Sequence, residues 1–282
     1  MNLCPTGMVP RTDRCPHVPV TPEAIAEDVR RCRDAGASIA HIHARAHDEE
    51  PTWDPERFRE ILAAVVERTP DIVLCVTTSG RTWPELEKRA AVLHLDGPVK
   101  PEMASLTLGS MNFPTGPSVN SPDTIAGLAR TMDERGIVPE LEVFEPGMAS
   151  YANFLLRREI LSPPLYVNVL LGSLGASDLS AASVAGFQAA LPPGATWALA
   201  GIGRYQLQAN TLAIALGGHV RVGLEDNPYY DWRTNEDASN PRLVERVVRI
   251  AREHGREPAT PEETRSIIGL RSPDRLAVPA IA

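Results

Sequence analysis

The feature that most constrains this chain is a rhythm. Short apolar runs rich in β-branched residues alternate with helix-forming stretches from one end to the other. Five of the helices open on a polar cap followed by proline: Thr21-Pro22, Asp54-Pro55, Ser121-Pro122, Asn240-Pro241 and Thr260-Pro261. The cap satisfies a free backbone N–H, and proline suits the first turn, where its own missing N–H costs nothing. The spacing predicts strands at 1–4, 38–45, 71–76, 102–107, 138–144, 165–171, 196–200 and 219–224. Helices are expected from Pro22 to Gly36, at 54–68, 83–93, from Pro122 to Gly136, and at 147–160, 178–190, 206–216 and 240–254. A last short helix from Thr260 leads into a Pro-containing tail.

Eight strands, each followed by a helix, in 282 residues predict a parallel (β/α)8 TIM barrel. An open doubly wound sheet needs no eighth unit, and no G-x-G-x-x-G follows the first strand. No linker, charge block or low-complexity run divides the chain. One barrel domain over 1–282 with a short C-terminal helical extension is the expectation.

Composition removes several classes of function. A net charge of −8 offers no basic field for nucleic acid. No apolar run approaches the roughly 20 residues of a membrane span. The start, Met1 to Pro5, lacks a basic then apolar leader, and the four cysteines (Cys4, Cys15, Cys32, Cys75) show no C-x-x-C spacing. A reducing cytoplasm is therefore the expected compartment.

In such a barrel the chemistry stands at the C-terminal strand ends. The second strand offers His41 and His43, which share a side about 6.6 Å apart along the chain. Two such imidazoles can converge on one metal, the ordinary alternative being a pair of satisfied core histidines. The third strand ends in Thr77-Thr78-Ser79-Gly80, the fourth offers Ser105 and Thr107, and the fifth carries Glu140 and Glu142 on one face. On the eighth, Arg221, Gly223 and Glu225 share a face. A buried arginine and carboxylate each need a charge or a metal, or their burial costs several kcal/mol. Glu225 is thus the natural third ligand beside His41 and His43, and two nitrogens with one carboxylate suit zinc. Arg221 has the planar fork for a substrate carboxylate. A structural Arg221–Glu225 ion pair is the alternative. Asp226 faces the other side of an ideal strand, and reaches the site only if the strand end turns. Gly201 and Gly203 lie where barrels of this kind often hold phosphates, so their N–H groups are candidates for CoA. His17, His47, His94 and His254 fall in loops or on helices and are expected at the surface.

Four segments together, His41–Arg45, Lys100–Ser105, Pro139–Val143 and Gly218–Asn227, resemble the β-keto acid cleavage enzymes, the relatives of 3-keto-5-aminohexanoate cleavage enzyme. The resemblance runs from Pro5-Thr6-Gly7 to Thr260-Pro261-Glu262. It implies a zinc-bearing (β/α)8 barrel, a homo-oligomer with a tetramer as the expected size, and acetyl-CoA as co-substrate. A β-keto acid plus acetyl-CoA would give acetoacetate and a new acyl-CoA. Carried over by position, the ligands are His41, His43 and Glu225, the base is Asp226, and the carboxylate-steering arginine is Arg221. Glu142 also matches, and substrate contacts fall on Thr77, Gly80 and Ser105, with Thr at 77 where serine is expected. One departure matters: members acting on amino-substituted keto acids carry a glutamate where this chain has Val9.

The chemistry is coherent apart from the resemblance. A keto acid chelates a divalent ion through its ketone and carboxylate, which stabilises an enolate, and Asp226 is placed to remove the proton. A metal-dependent amidohydrolase needs further histidines on the fifth and sixth strands, and Val138–Glu145 and Leu165–Leu171 contain none. A CoA-ester lyase carries its His-x-His on the seventh strand. A non-catalytic metal-binding protein has no use for Arg221 and Asp226 beside the ligands.

Overall fold

The computed structural model describes residues 1–114 and 116–276; the end of the Pro-containing tail lies outside them. Eight strands close into a parallel barrel: β1 (Asn2–Leu3), β2 (Ile39–Ile42), β3 (Val73–Val76), β4 (Met103–Thr107), β5 (Val138–Val143), β6 (Tyr166–Leu171), β7 (Thr196–Gly201) and β8 (His219–Val222). Each pairs with its neighbours in sequence, and β1 closes the ring on β8 with Asn2 opposite Arg221. The helices are α1 (Pro22–Ala35), α2 (Pro55–Arg68), α3 (Leu86–Ala90), α4 (Pro122–Arg135), α5 (Pro146–Arg157), α6 (Ala181–Ala190), α7 (Gln206–Ala215), α8 (Asn240–Glu253) and α9 (Pro261–Ile268). This is the (β/α)8 barrel that the rhythm predicts.

The proline starts work as expected in α1, α2, α4 and α9, where Thr21, Asp54, Ser121 and Thr260 accept a first-turn N–H. Apolar stripes of α1 and α2, such as Ile25, Val29, Phe58 and Ile61, bury against the outer faces of the strands. A second core fills the barrel's lower end: Ile39, Val73, Met103, Tyr166 and Ala198, stoppered by Ile268 of α9. There Glu102 accepts from Arg265 at 2.6 Å and also meets Arg275, which ties the C-terminal segment to the barrel floor. No helix among the described residues is long and apolar enough to cross a membrane.

Two differences from the predicted elements shape the upper end. The strand expected at 38–45 ends at Ile42, and the one expected at 219–224 ends at Val222. Two antiparallel hairpins were not foreseen: Met111–Phe113 with Gly116–Ser118, and Tyr229–Asp231 with Glu236–Asp237. Their strands are too short for a period-two pattern to register. Both fold over the C-terminal ends of the barrel strands and supply cavity walls.

A polar latch fixes the loops after β1 and β8. Asn240 donates to the Pro5 carbonyl at 3.0 Å and to Asp28 of α1 at 2.6 Å, and it accepts the Leu224 N–H at 2.8 Å. Burial pushes the Asp28 carboxyl up to about 7, although the Asn240 bond favours its charged form. The folded state thus holds the proton more tightly than the unfolded chain. This contribution to stability is full below about pH 4 and is lost as pH rises through about 7. Asp28→Asn keeps an oxygen for Asn240 and removes the charge. Its melting temperature should match that of the native protein near pH 4 and exceed it by a few degrees, roughly, above pH 7. A difference that does not vary with pH would place the Asp28 proton elsewhere.

Candidate active site

The upper end of the barrel opens into a cavity of about 1120 Å³. His41 on β2 and His43 just past its end are 1% and 5% exposed, with their Nε2 atoms 3.2 Å apart. His43 Nε2 lies 3.2 Å from Glu225 Oε1. The three side chains offer ligand atoms that all fall within 4.8 Å of one another. Two ligands at about 2.0–2.1 Å from a tetrahedral ion stand about 3.3 Å apart, so the imidazole spacing suits a shared ion. The other Glu225 oxygen, Oε2, is buried with no hydrogen-bond partner. A buried carboxylate oxygen left bare is costly, and a cation is the partner that the donor set lacks. The residues fit a divalent metal.

Glu140, on the same face of β5 as Glu142, completes the setting beneath. It is fully buried and accepts from His41 Nδ1 at 2.5 Å, from Asn168 at 2.6 Å, from the Cys75 thiol at 3.3 Å and from Asn2. Anchoring Nδ1 turns Nε2 towards His43, as outer carboxylates do at metal-binding histidines. Burial works against the His41 imidazolium, but Glu140 outweighs it and lifts the pKa to about 9. Burial would raise Glu140 as well, yet His41 and Arg221 bring it down to about 2. For His43 burial prevails over the pull of Glu225, and its pKa falls. Sequence reasoning placed Glu140 on the right face but gave it no role. The usable signal was its shared face with Glu142.

Asp226 does reach the cavity. β8 ends at Val222, and glycine fits next because a Cβ at Gly223 would stand 2.0 Å from the Cys4 carbonyl oxygen. The chain then turns, with the Asp226 and Asn227 N–H groups donating to the Gly223 carbonyl at 3.3 and 3.2 Å. Glu225 and Asp226 therefore both line the cavity. Gly7, in the left-handed region at φ 65°, makes room for this turn, since a Cβ would stand 2.5 Å from Glu225 Cγ. Burial raises the Asp226 pKa against the pull of Arg221. Burial raises Glu142 too, and Glu142 accepts from Thr107 at 2.8 Å.

Arg221 departs from its expected geometry. Its Nε and Nη2 donate to Asp226 at 3.0 and 3.3 Å, Nη2 to Glu225 at 2.9 Å, and Nη1 to Glu142 at 3.1 Å. Those bonds use four of the five N–H donors of a guanidinium, so no fork is free for a substrate carboxylate. Arg221 is the shared counter-ion of three carboxylates, and its ion pair with Glu225 coexists with the imidazole contact.

The remaining expected residues divide. Thr77 lines the cavity, as does its neighbour Ser79. Ser105 does not: its Oγ accepts the Thr78 N–H at 3.0 Å and its carbonyl the Thr78 hydroxyl at 2.6 Å, which clamps the ends of β3 and β4. Gly80 lies behind the wall, where a Cβ would meet the Arg89 guanidinium at 2.5 Å. The phosphate contact expected at Gly201 and Gly203 gives way to other partners. The Gly203 N–H donates to the Asp226 carbonyl at 2.7 Å, the Ile202 N–H to that of Leu171 at 2.9 Å, and Gly201 makes room for the Tyr205 carbonyl. Val9 stands at the cavity mouth, 60% exposed. All four cysteines are buried and unpaired.

Comparison with known proteins shows the family and the fold. The family model described as beta-keto acid cleavage enzyme matches residues 1–270. A 3-keto-5-aminohexanoate cleavage enzyme of Fusobacterium nucleatum subsp. nucleatum is 42% identical over 262 residues, covering 91% of this chain and 92% of that protein. A 3-oxoadipate:acetyl-CoA acetyltransferase of Cupriavidus necator is 36% identical over 275 residues, covering 96% and 95%. The solved complex of ObcA with oxaloacetate shares the fold, with TM-score 0.79 and 23% identity over 91% of this chain and 68% of the ObcA chain. The chain belongs to the β-keto acid cleavage enzyme family.

Proposed function

We propose that this chain is a zinc-dependent acyltransferase that condenses a β-keto acid with acetyl-CoA to give acetoacetate and a new acyl-CoA. The observation that carries the reading is the convergence of His41, His43 and the bare Glu225 oxygen on the cavity that Asp226 also lines. Relatives named as acting with acetyl-CoA on 3-oxoadipate, on 3-dehydrocarnitine and on 3,5-dioxohexanoate support the same chemistry.

His41, His43 and Glu225 would hold the ion, which when bound supplies Lewis acidity to the ketone and carboxylate oxygens of the keto acid. Asp226 takes the proton from the carbon between those groups. Its buried, raised pKa makes it a stronger base than an exposed aspartate. The resulting carbanion forms a carbon–carbon bond to the acetyl carbonyl, and the CoA thiolate leaves. That thiolate then attacks the original ketone, the bond to the central carbon breaks, and Asp226 returns the proton to acetoacetate. Arg221 holds Asp226, Glu225 and Glu142 in position throughout. The apolar walls, Phe144, Leu170 and Leu224 among them, keep water from hydrolysing the thioester. Thr77 and Ser79 offer hydroxyls to the bound acid, and Glu142 lines the cavity beside Asp226 as the alternative base.

The reading includes one domain over 1–282, a homo-oligomer with a tetramer as the first size to test, and a cytoplasmic compartment in keeping with four free thiols. The test is a panel of β-keto acids with acetyl-CoA on the zinc-loaded protein, reading each new acyl-CoA by mass. Absence of every acyl-CoA product would overturn it.

Position 9 bears on the substrate. Val9 gives an ammonium group no partner, and an unpaired charge is rejected cheaply by a pocket that omits its counter-ion. An unsubstituted β-keto acid should exceed its 5-amino analogue about 10-fold or more in kcat/KM, and Val9→Glu should narrow that gap. Preference of the native enzyme for the amino compound would point to another carboxylate, Asp13 being one at the mouth.

A further inference from the structure

Among the described residues, the cavity has one partly buried guanidinium that forms no ion pair. Arg81 follows Gly80 in the loop after β3 and lines the cavity. Among the described residues its Nε is buried without a hydrogen-bond partner. Of the other arginines nearby, Arg14 and Arg204 stand exposed at the rim, while the rest have partners. Arg221 is held by three carboxylates, and Arg45 donates to the carbonyls of Gly7, Glu49 and Pro10. Arg11 pairs with Glu50 at the exposed rim, and Arg204 meets the Tyr205 hydroxyl there.

Arg81 is also posed. Its guanidinium carbon sits 3.4 Å from the centroid of Phe113, on the first of the unforeseen hairpins. Phe144 meets Phe113 edge-on at 5.8 Å and 88°. Stacking on an aromatic face occupies the flat side of the guanidinium; with Nε covered, the Nη1–Nη2 edge is the one left to match a carboxylate bidentately. The carboxylates of Glu225, Glu142 and Asp226 attract this cation across the cavity but do not touch it, which leaves its hydrogen-bonding edge for an anion that the cavity binds.

We propose that Arg81 recognises a second, distal carboxylate on the substrate, so that dicarboxylic β-keto acids are the preferred class; this rests on the cleavage reaction proposed above. The reacting carboxylate belongs with His41, His43 and Glu225, and Arg81 lies beyond ion-pairing distance of Glu225, Asp226 and Glu142. A phosphate of CoA is the other anion at hand. The exposed arginines of the rim suit it better than a guanidinium whose Nε is sealed from solvent. The same cation disfavours an ammonium tail, in line with Val9.

The test compares a six-carbon 3-oxo dicarboxylate with the six-carbon 3-oxo monocarboxylate at fixed acetyl-CoA, using native protein, Arg81→Gln and Arg81→Lys. Calorimetry with glutarate, which cannot react, gives a readout independent of turnover. The native enzyme should prefer the dicarboxylate by about 10²-fold in kcat/KM. Arg81→Gln should lose about that factor for the dicarboxylate while staying within about 3-fold for the monocarboxylate, with Arg81→Lys between them. Glutarate binding should weaken in parallel. A native preference for the monocarboxylate, or an equal loss on both acids, overturns the assignment. So does a rise confined to the KM of acetyl-CoA, which would give Arg81 to a CoA phosphate. If neither acid turns over in native protein but Arg81→Gln still abolishes glutarate binding, the reaction is wrong and the carboxylate site stands.

Discussion

Asp226→Asn is expected to keep its metal and to lose turnover by a factor of about 10² or more. The substitution is nearly isosteric, and an asparagine oxygen can still accept from Arg221, which donates to both Asp226 oxygens at 3.0 and 3.3 Å. What disappears is the basic oxygen that takes the proton. Because Asp226 adjoins Glu225, metal content must be measured on the same preparation, so that a lost base is not confused with a lost ion. Asp48→Asn and His254→Ala, at exposed positions away from the cavity, should leave the rate unchanged. If Asp226→Asn with full metal content retains near-native turnover, Asp226 is not the base. Glu142, which burial also makes more basic and which lines the same cavity, then takes the role.

The placement of Asp226 also marks where the sequence stops being informative. An eightfold alternation of apolar runs and capped helices points to a barrel. Parallel strands are covered on both faces and eight such units close into a ring, whereas an open doubly wound sheet needs no eighth. His41 and His43 were legible for a similar reason: the strand period alone puts them on one side. For Asp226 the strand period pointed the other way and the family resemblance alone assigned it, because a period of two ends with the strand and the turn at Gly223 decides the direction afterwards. Arg221 shows a different limit. Its residue type signals carboxylate recognition, but only the fold reveals that three carboxylates of the same chain already hold it. Glu140 reaches His41 across the barrel from 99 residues away, a contact that local pattern cannot supply. Arg81 depends on Phe113, and so on a hairpin whose strands are three residues each.

Removing the metal should abolish turnover and destabilise the fold together. Four carboxylates, Glu140, Glu142, Glu225 and Asp226, crowd the upper barrel around Arg221 and two imidazoles. Without a divalent ion their charges are incompletely balanced, and unbalanced buried charge costs several kcal/mol. Binding at 100 times Kd would add about 2.7 kcal/mol to the folded state. A chelator should therefore lower the melting temperature by roughly 5 °C or more as activity falls, and added zinc should restore both. His43→Ala and Glu225→Gln should bind less than stoichiometric zinc and lose about 10³-fold or more in rate, whereas His219→Ala, at the start of β8, should do neither. Glu140→Gln makes the sharper case. It leaves all three ligands in place but loosens the hold on His41 Nδ1, and should weaken zinc binding about 10- to 100-fold. His41 must also give up the proton that Glu140 helps it to keep, so affinity should fall as pH drops. A protein that keeps its turnover and its melting temperature after exhaustive chelation would show that His41, His43 and Glu225 form a hydrogen-bonded cluster rather than a metal site.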